Sequence, residues 1–160
     1  MAMIQKIIVL IGLVLPFNTL NAQTQEGIAT YYHDRFWGSH TSSGEHYHPY
    51  IFSGAHRTIA FGTWVEVELL NSGKKTLVKI NDRGPFLKGG VIDLAKVAAQ
   101  ELGIVAMGKA RVRVRILKLD EMTDSLKTAL FARDSVAKSL HPFPVRQKIR
   151  KKKLAKRRRR

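Results

Sequence analysis

The sequence predicts a small, mainly β domain that closes into a barrel, with one short helix among its strands. Three observations carry this prediction. Residues 27–118 contain several short runs in which apolar and polar residues alternate, and turn residues separate these runs. A single run in this region has helical spacing, and one helix among short strands favours a barrel over a sandwich. The chain of 160 residues, 44% of them hydrophobic, is long enough for one modest core.

The first half of the domain predicts three strands and a long loop. Gly27–Tyr32 is rich in β-branched and aromatic residues and predicts the first strand, whereas Phe36–Tyr50 has no sustained period and predicts a loop. Trp64–Leu69 alternates apolar and acidic residues, which is typical of a half-buried strand. The turn residues Asn71–Gly73 separate it from Thr76–Ile80, its expected hairpin partner.

The second half predicts two further strands on either side of the helix. A turn at Asn81–Pro85 precedes a short strand at Val91–Ile92. Leu94–Leu102 has apolar residues at helical spacing, and Gly103 ends the predicted helix. Ala110–Leu117 alternates again and is the clearest strand of the chain.

The N-terminus predicts export from the cytoplasm. Met1–Ala22 has one positive charge at Lys6, an apolar run over Ile7–Leu15 and a small residue at its end, the pattern of a cleavable signal peptide. The apolar run is shorter than the roughly 20 residues that span a bilayer, although an uncleaved anchor is the alternative. There is no cysteine, so no disulfide, cysteine-bound metal or cysteine-linked lipid is expected. We expect a periplasmic, envelope or extracellular protein without a lipid anchor.

Residues 119–160 have a different character. Apolar residues at helical spacing between Leu119 and Leu140 predict an amphipathic helix. Arg146–Arg160 then carries eleven basic residues and no acid, a composition typical of disorder. The whole chain has a net charge of +16, of which only +5 precedes Arg146. Anionic envelope polymers or lipid head groups are the expected partners of this basic segment, and a solvated tail is the alternative. Specific binding to nucleic acid is not expected of an exported protein.

Three short segments contain the ionisable residues suited to chemistry, at 41–45, 54–58 and 81–85. Taken singly, each is a weak signal. Asp82 is also typical of a turn residue, Glu45 of a solvated loop charge, and His56 of a buried histidine that forms hydrogen bonds. By number, four further histidines suggest a metal cluster: His33, His40, His46 and His48. Their spacing matches no zinc motif, however, so no metal and no cofactor is expected.

Taken together and in order, the segments resemble the rare lipoprotein A family. The resemblance runs from Gly-Ile-Ala-Thr-Tyr-Tyr at Gly27 through Thr-Ser-Ser-Gly-Glu at Thr41 and Ala-His-Arg-Thr at Ala55. It continues with Asn-Asp-Arg-Gly-Pro-Phe at Asn81 and ends near Leu117. It implies a six-stranded double-psi β-barrel and the activity of a lytic transglycosylase, which cuts peptidoglycan glycan strands, preferably those stripped of stem peptides. A monomer is expected.

The resemblance also implies catalytic roles for Asp82, Glu45 and His56. A lytic transglycosylase needs one acid/base, because the nucleophile is the C6 hydroxyl of the sugar itself. Asp82 is the candidate, and burial or a nearby Glu45 is expected to raise its pKa. The alternative role of Glu45 is to bind the sugar. His56 is expected to orient either carboxylate.

Substrate binding is expected of Tyr32, Trp37, Arg83 and Asp93. For Asp93, two interpretations stay open: a functional carboxylate, as in expansin-like barrels, or the N-cap of the helix that begins at Leu94, which the pattern favours. The chain departs from the family at His48, where an acidic residue is usual, and in lacking a lipid-modified cysteine and a glycan-binding SPOR domain. The alternative function is an expansin-like module that binds or loosens glycan without cutting it.

Overall fold

The computed structural model describes residues 24–142. The predicted signal peptide and the basic segment lie outside these residues. The described chain contains six strands, a 3-10 helix at Asp34–Phe36 and two α-helices. The strands are β1 Thr24–Tyr31, β2 Ser53–Ala55, β3 Trp64–Leu69, β4 Lys75–Asp82, β5 Gly90–Leu94 and β6 Ala110–Ile116; the helices are α1 Lys96–Leu102 and α2 Asp124–Leu140.

The six strands form a closed barrel in the order β1-β5-β2-β4-β3-β6. Two neighbouring pairs are parallel, β1 with β5 and β2 with β4. The other four pairs are antiparallel, among them the predicted hairpin of β3 and β4. The mainly β, barrel-shaped fold predicted from the sequence is therefore confirmed.

Strand alternation fills the barrel with apolar side chains. In β3 the buried residues are Val65, Val67 and Leu69, and the acidic residues between them face outward. Val78 and Ile80 of β4 are fully buried in the same core. The motif residue Gly27 has a packing reason, because a Cβ at this position would lie 2.9 Å from the carbonyl oxygen of Gly89. Only glycine therefore lets β1 approach the chain before β5 so closely.

The structure corrects two sequence expectations around the central strands. Strand β2 was not predicted, because its three residues are too few to show a period. The helix begins at Lys96 rather than Leu94, because Asp93 and Leu94 pair with β1 and β2 as part of β5. The N-cap position is Ala95, which forms no side-chain capping bond. The interpretation of Asp93 as a helix cap is therefore wrong.

Helix α2 follows the barrel and packs on its outer surface. Thr123 caps it by accepting a hydrogen bond from the backbone N–H of Leu126, and Leu130 is its buried residue. Leu126 is half-buried, whereas Phe131, Val136 and Leu140 are exposed. Within residues 24–142, neither helix has the length and apolar character needed to cross a membrane.

Candidate active site

Two carboxylates lie on either side of Ala55. In the strand register, Ala55 of β2 is the partner of Asp82 on β4 and also of Asp93 on β5. Asp82 and Asp93 are both partly exposed on either side of the small, fully buried Ala55, and the region between them is called the opening. Gly84 borders the same opening, because a Cβ there would lie 3.6 Å from Oδ2 of Asp93. The two carboxylates also interact electrostatically, because the charge of Asp82 raises the pKa of Asp93.

Asp82 is held as an ionised carboxylate. Its Oδ1 accepts hydrogen bonds from the backbone N–H and the hydroxyl of Ser42, at 2.8 and 2.7 Å, and from the N–H of Arg83 at 2.8 Å. Its Oδ2 accepts a hydrogen bond from the Tyr32 hydroxyl at 2.7 Å. Burial alone would raise the pKa of Asp82, but these four bonds outweigh burial and hold the pKa below its usual value. The expectation of a raised pKa at Asp82 is wrong.

Asp93 has the opposite electrostatic environment. Its side chain is half-buried, and burial is the largest cause of its raised pKa. The hydroxyl of Thr30 donates a hydrogen bond to Oδ1, which opposes the shift, whereas the charge of Asp82 adds to it. Asp93 therefore keeps its proton to a higher pH than an ordinary aspartate.

The two environments shift the pKa values of Asp82 and Asp93 in opposite directions. Neighbouring titratable groups whose pKa values are pushed apart are the usual arrangement of an acid and an ionised partner. Here the pKa of Asp93 is raised and that of Asp82 is lowered, so Asp93 is the member that keeps its proton to the higher pH.

Glu45 forms contacts other than those expected. Its Oε1 pairs with the ammonium group of Lys79, and its Oε2 accepts a hydrogen bond from the side-chain amide of Asn81, both at 2.8 Å. Burial opposes the shift, but these two contacts lower the pKa of Glu45. Its charge is thus neutralised by β4, and the expectation that Glu45 raises the pKa of Asp82 is wrong.

His56 is buried and holds the loop after β2. Its Nδ1 accepts hydrogen bonds from the backbone N–H groups of Thr58 and Ile59, so its Nε2 carries the proton and donates to Gln25 Oε1 at 3.1 Å. Burial and then the charges of Arg83 and Arg57 lower its pKa, so the ring is neutral near pH 7. These hydrogen bonds of the His56 side chain go to Gln25 and to the loop backbone rather than to Asp82 or Glu45, and the catalytic role of His56 stays a prediction.

Of the other residues expected to bind substrate, one lies in the opening and two lie in the packing of loops. The guanidinium of Arg83 donates to the backbone carbonyls of His56 and Ile59, so its side chain braces the same loop. Tyr32 is in the opening through its bond to Asp82, and its pKa is raised by burial first and by that bond second. The ring of Trp37 contacts those of His48 and Tyr50 and belongs to the packing of the long loop.

Sequence reasoning missed two hydroxyl residues of the site. Ser42 lies in the motif 41–45 and Thr30 in the first strand, but neither was singled out. Their hydroxyls contact Asp82 and Asp93 respectively. Both residues lie in segments that carry the family resemblance, and this was the available signal. Hydroxyl residues in such segments are possible hydrogen-bond donors to a catalytic carboxylate. Among the described residues, no group of histidine, aspartate or glutamate side chains has an arrangement that could hold a metal ion.

Comparison with known proteins places the chain in a class and then in a family. The closed six-stranded barrel is a double-psi β-barrel, as predicted. A family model described as "Lytic transglycolase" matches residues 24–114, more than half of the chain. The chain belongs to this family, and the resemblance seen in the sequence is confirmed.

Two curated relatives show the degree of similarity. Over 96 residues the chain is 43% identical to the endolytic peptidoglycan transglycosylase RlpA of Pasteurella multocida, which covers 60% of this chain and 33% of the relative. Over 100 residues it is 41% identical to the protein of the same name from Vibrio cholerae, covering 62% and 38%. The chain thus spans little more than a third of the length of these relatives.

A solved structure supports the fold alone. The Streptomyces papain inhibitor superposes with a TM-score of 0.50 at 20% sequence identity, covering 60% of this chain and 96% of that protein. At this identity the likeness extends to the barrel and not to its activity.

The electrostatic link between the two carboxylates is testable by titration. Replacing Asp82 with asparagine removes the negative charge that disfavours ionisation of Asp93, so the pKa of Asp93 is expected to fall towards the ordinary aspartate value. Side-chain carboxyl NMR measures this pKa directly. Glu68→Gln, which removes a carboxylate from β3 beside Arg113, is the control and should leave it unchanged. An Asp93 pKa that is the same with and without Asp82 would mean that burial alone raises it.

Proposed function

We propose that the protein is a peptidoglycan lytic transglycosylase in which Asp93 is the acid/base and Asp82 its ionised partner. The observation that carries this proposal is the pair itself, with one pKa raised and the other lowered across Ala55. Membership of the lytic transglycosylase family and the names of the relatives support the reaction and the glycan substrate.

The reaction needs no water and no second nucleophile. The Asp93 carboxylic acid gives its proton to the glycosidic oxygen, and the bond between this oxygen and C1 breaks. The C6 hydroxyl of the same sugar then bonds to C1 and gives its proton to the Asp93 carboxylate, which restores the acid and closes the anhydro ring. Asp93 is the better base of the pair because its pKa is the higher one. The fixed charge of Asp82 stabilises the positive charge that develops on the sugar ring.

The residues around the pair bind and position. Phe86 follows Gly84 and Pro85 and is 86% exposed, so its ring offers a sugar a face to stack on beside the opening. Tyr32 and Ser42 hold the Asp82 carboxylate in one direction. His56 and Arg83 keep the loop after β2 in place and are positioning residues.

The location and further partners follow from the same function. We place the protein in the cell envelope, where peptidoglycan lies, and assign Arg146–Arg160 to binding anionic envelope polymers or lipid head groups. Eleven positive charges without an acid support this assignment. The family domain ends at residue 114, so the basic segment is separate from the glycan site in the sequence.

Catalysis is tested by product analysis. Incubated with purified peptidoglycan, the protein is expected to release products with 1,6-anhydro-muramyl ends, detected by mass spectrometry. Asp93→Asn and Asp82→Asn should each lower this release at least about 100-fold, the usual contribution of a positioned acid or base. Glu68→Gln is the matched control and should keep the activity. Release near the wild-type level by Asp93→Asn would refute its role, and no anhydro product from the wild type would leave a glycan-binding module as the function.

The pH profile tests which carboxylate carries the proton. Activity should fall at high pH as Asp93 loses its proton, with a midpoint above the usual aspartate value of about 4. In Asp82→Asn the alkaline limb of the remaining activity should move to lower pH, because the negative charge that raises the pKa of Asp93 is gone. Glu45→Gln should leave the limb in place, since Lys79 already neutralises the charge of Glu45. A limb that moves with Glu45→Gln and not with Asp82→Asn would contradict the assignment.

The basic segment is tested by deletion. Removing Arg146–Arg160 should reduce sedimentation with anionic envelope fragments at low salt, because screening acts over about 8 Å at physiological ionic strength and a longer distance below it. Turnover of short soluble glycans should stay the same. The full chain at high salt is the control and should sediment like the deletion variant. A large loss of turnover on soluble glycans would show instead that the segment belongs to the active site.

A further inference from the structure

Helix α2 forms one wall of a cavity beside strand β4. The cavity has a volume of about 290 Å³ and lies between the loop at 45–53, strand β4 and α2. Glu45, Lys79 and Asn81 line it from the barrel side, and Asp134 and Lys138 line it from α2. The cavity lies on the other face of β4 from Asp82, and the loop at 41–45 connects the two places, because Ser42 donates to Asp82 and Glu45 lines the cavity.

The α2 wall is fixed to the barrel by specific contacts. The guanidinium of Arg133 lies 3.4 Å from the centre of the Phe52 ring, and Leu130 is buried. At the end of the helix, His48 Nε2 donates a hydrogen bond to the carbonyl oxygen of His141 at 2.6 Å. These contacts come from three positions along α2, so the cavity is part of the folded structure.

His48 joins the long loop to the end of α2. Its Nδ1 accepts a hydrogen bond from the N–H of Tyr50, so its Nε2 carries the proton that is donated to the carbonyl oxygen of His141. The family match ends at residue 114, before α2 begins, so the α2 wall of the cavity comes from outside the matched domain.

The two carboxylates of the cavity pair with residues other than Lys138. Glu45 pairs with Lys79 at 2.8 Å, and Asp134 Oδ1 lies 3.9 Å from Nε of Arg133. Lys138 is exposed and, within residues 24–142, forms no ion pair, while its charge reaches Glu45 and lowers the pKa of that residue. An ammonium group of this kind is a binding partner for a carboxylate.

We propose that this cavity is a subsite for a carboxylate group on the glycan strand, bound by Lys138, and that α2 thereby adds a specificity element to the barrel. This rests on the proposed function. Ligand pockets measure about 300–1,000 Å³, so the cavity takes a single substituent rather than a length of strand. A strand offers a carboxylate from two sources: the lactyl group of N-acetylmuramic acid when no peptide is attached, or a stem peptide.

The test is calorimetric binding to three tetrasaccharides, with Asp93→Asn in every protein so that no glycan is cut. Two contain N-acetylmuramic acid, one with and one without stem peptides, and the third is an N-acetylglucosamine tetramer with no carboxylate. Lys138→Ala should weaken binding of a carboxylated ligand about tenfold, the effect of one charge-assisted hydrogen bond. Lys138→Arg should restore it. Lys127→Ala is the control, because Lys127 is on the same helix but pairs with Asp124.

Each outcome decides the proposal. A loss confined to the peptide-free ligand assigns the lactyl carboxylate, and a loss confined to the peptide-bearing ligand assigns the peptide. An equal loss on all three ligands, or no loss on any, overturns the carboxylate subsite. The proposed function is tested independently: a protein that binds these ligands through Lys138 but releases no anhydro product keeps the subsite and loses the activity.

Discussion

The register of β2 between β4 and β5 is the constraint on which the site depends. It brings two aspartates to either side of one buried alanine, where like charges and burial both disfavour ionisation. The structure resolves this conflict unequally. It surrounds Asp82 with four hydrogen-bond donors and leaves Asp93 with the hydroxyl of Thr30. The difference in proton affinity between two identical side chains thus comes from strand pairing and from the loop that carries Ser42.

The elements that the sequence predicted are those whose pattern is local. Strands β3 and β6 bury every second residue, and this alternation is visible in the sequence without any knowledge of their partners. Strand β2 has only three residues, and it is a strand because β4 and β5 lie on its two sides. Strand pairing also explains why α1 begins later than predicted. Asp93 and Leu94 pair with β1 and β2 and so belong to a strand, although the local pattern is typical of a helix cap.

The sequence predicted which residues belong to the candidate site better than it predicted which of them contact one another. The motifs indicated Asp82, Glu45 and Asp93, but proximity in a motif does not fix which groups meet in space. Successive residues of a strand point to opposite faces. Glu45 binds Lys79 and Asn81, two positions apart on β4, and is therefore on the other face of the strand from Asp82. Only the fold separates these two faces, and for the same reason the position of Lys138 in the cavity lining could not be predicted from its place in the sequence.

The docking of His141 couples the long loop to the end of α2. The His141 ring stacks on Tyr50 with 3.8 Å between ring centres, and the carbonyl oxygen of His141 accepts a hydrogen bond from His48. His48 in turn accepts a hydrogen bond from the N–H of Tyr50, so one loop segment holds the helix end by two contacts. A shift of this segment would therefore move the helix end with it, and the two walls of the cavity behave as one mechanical unit.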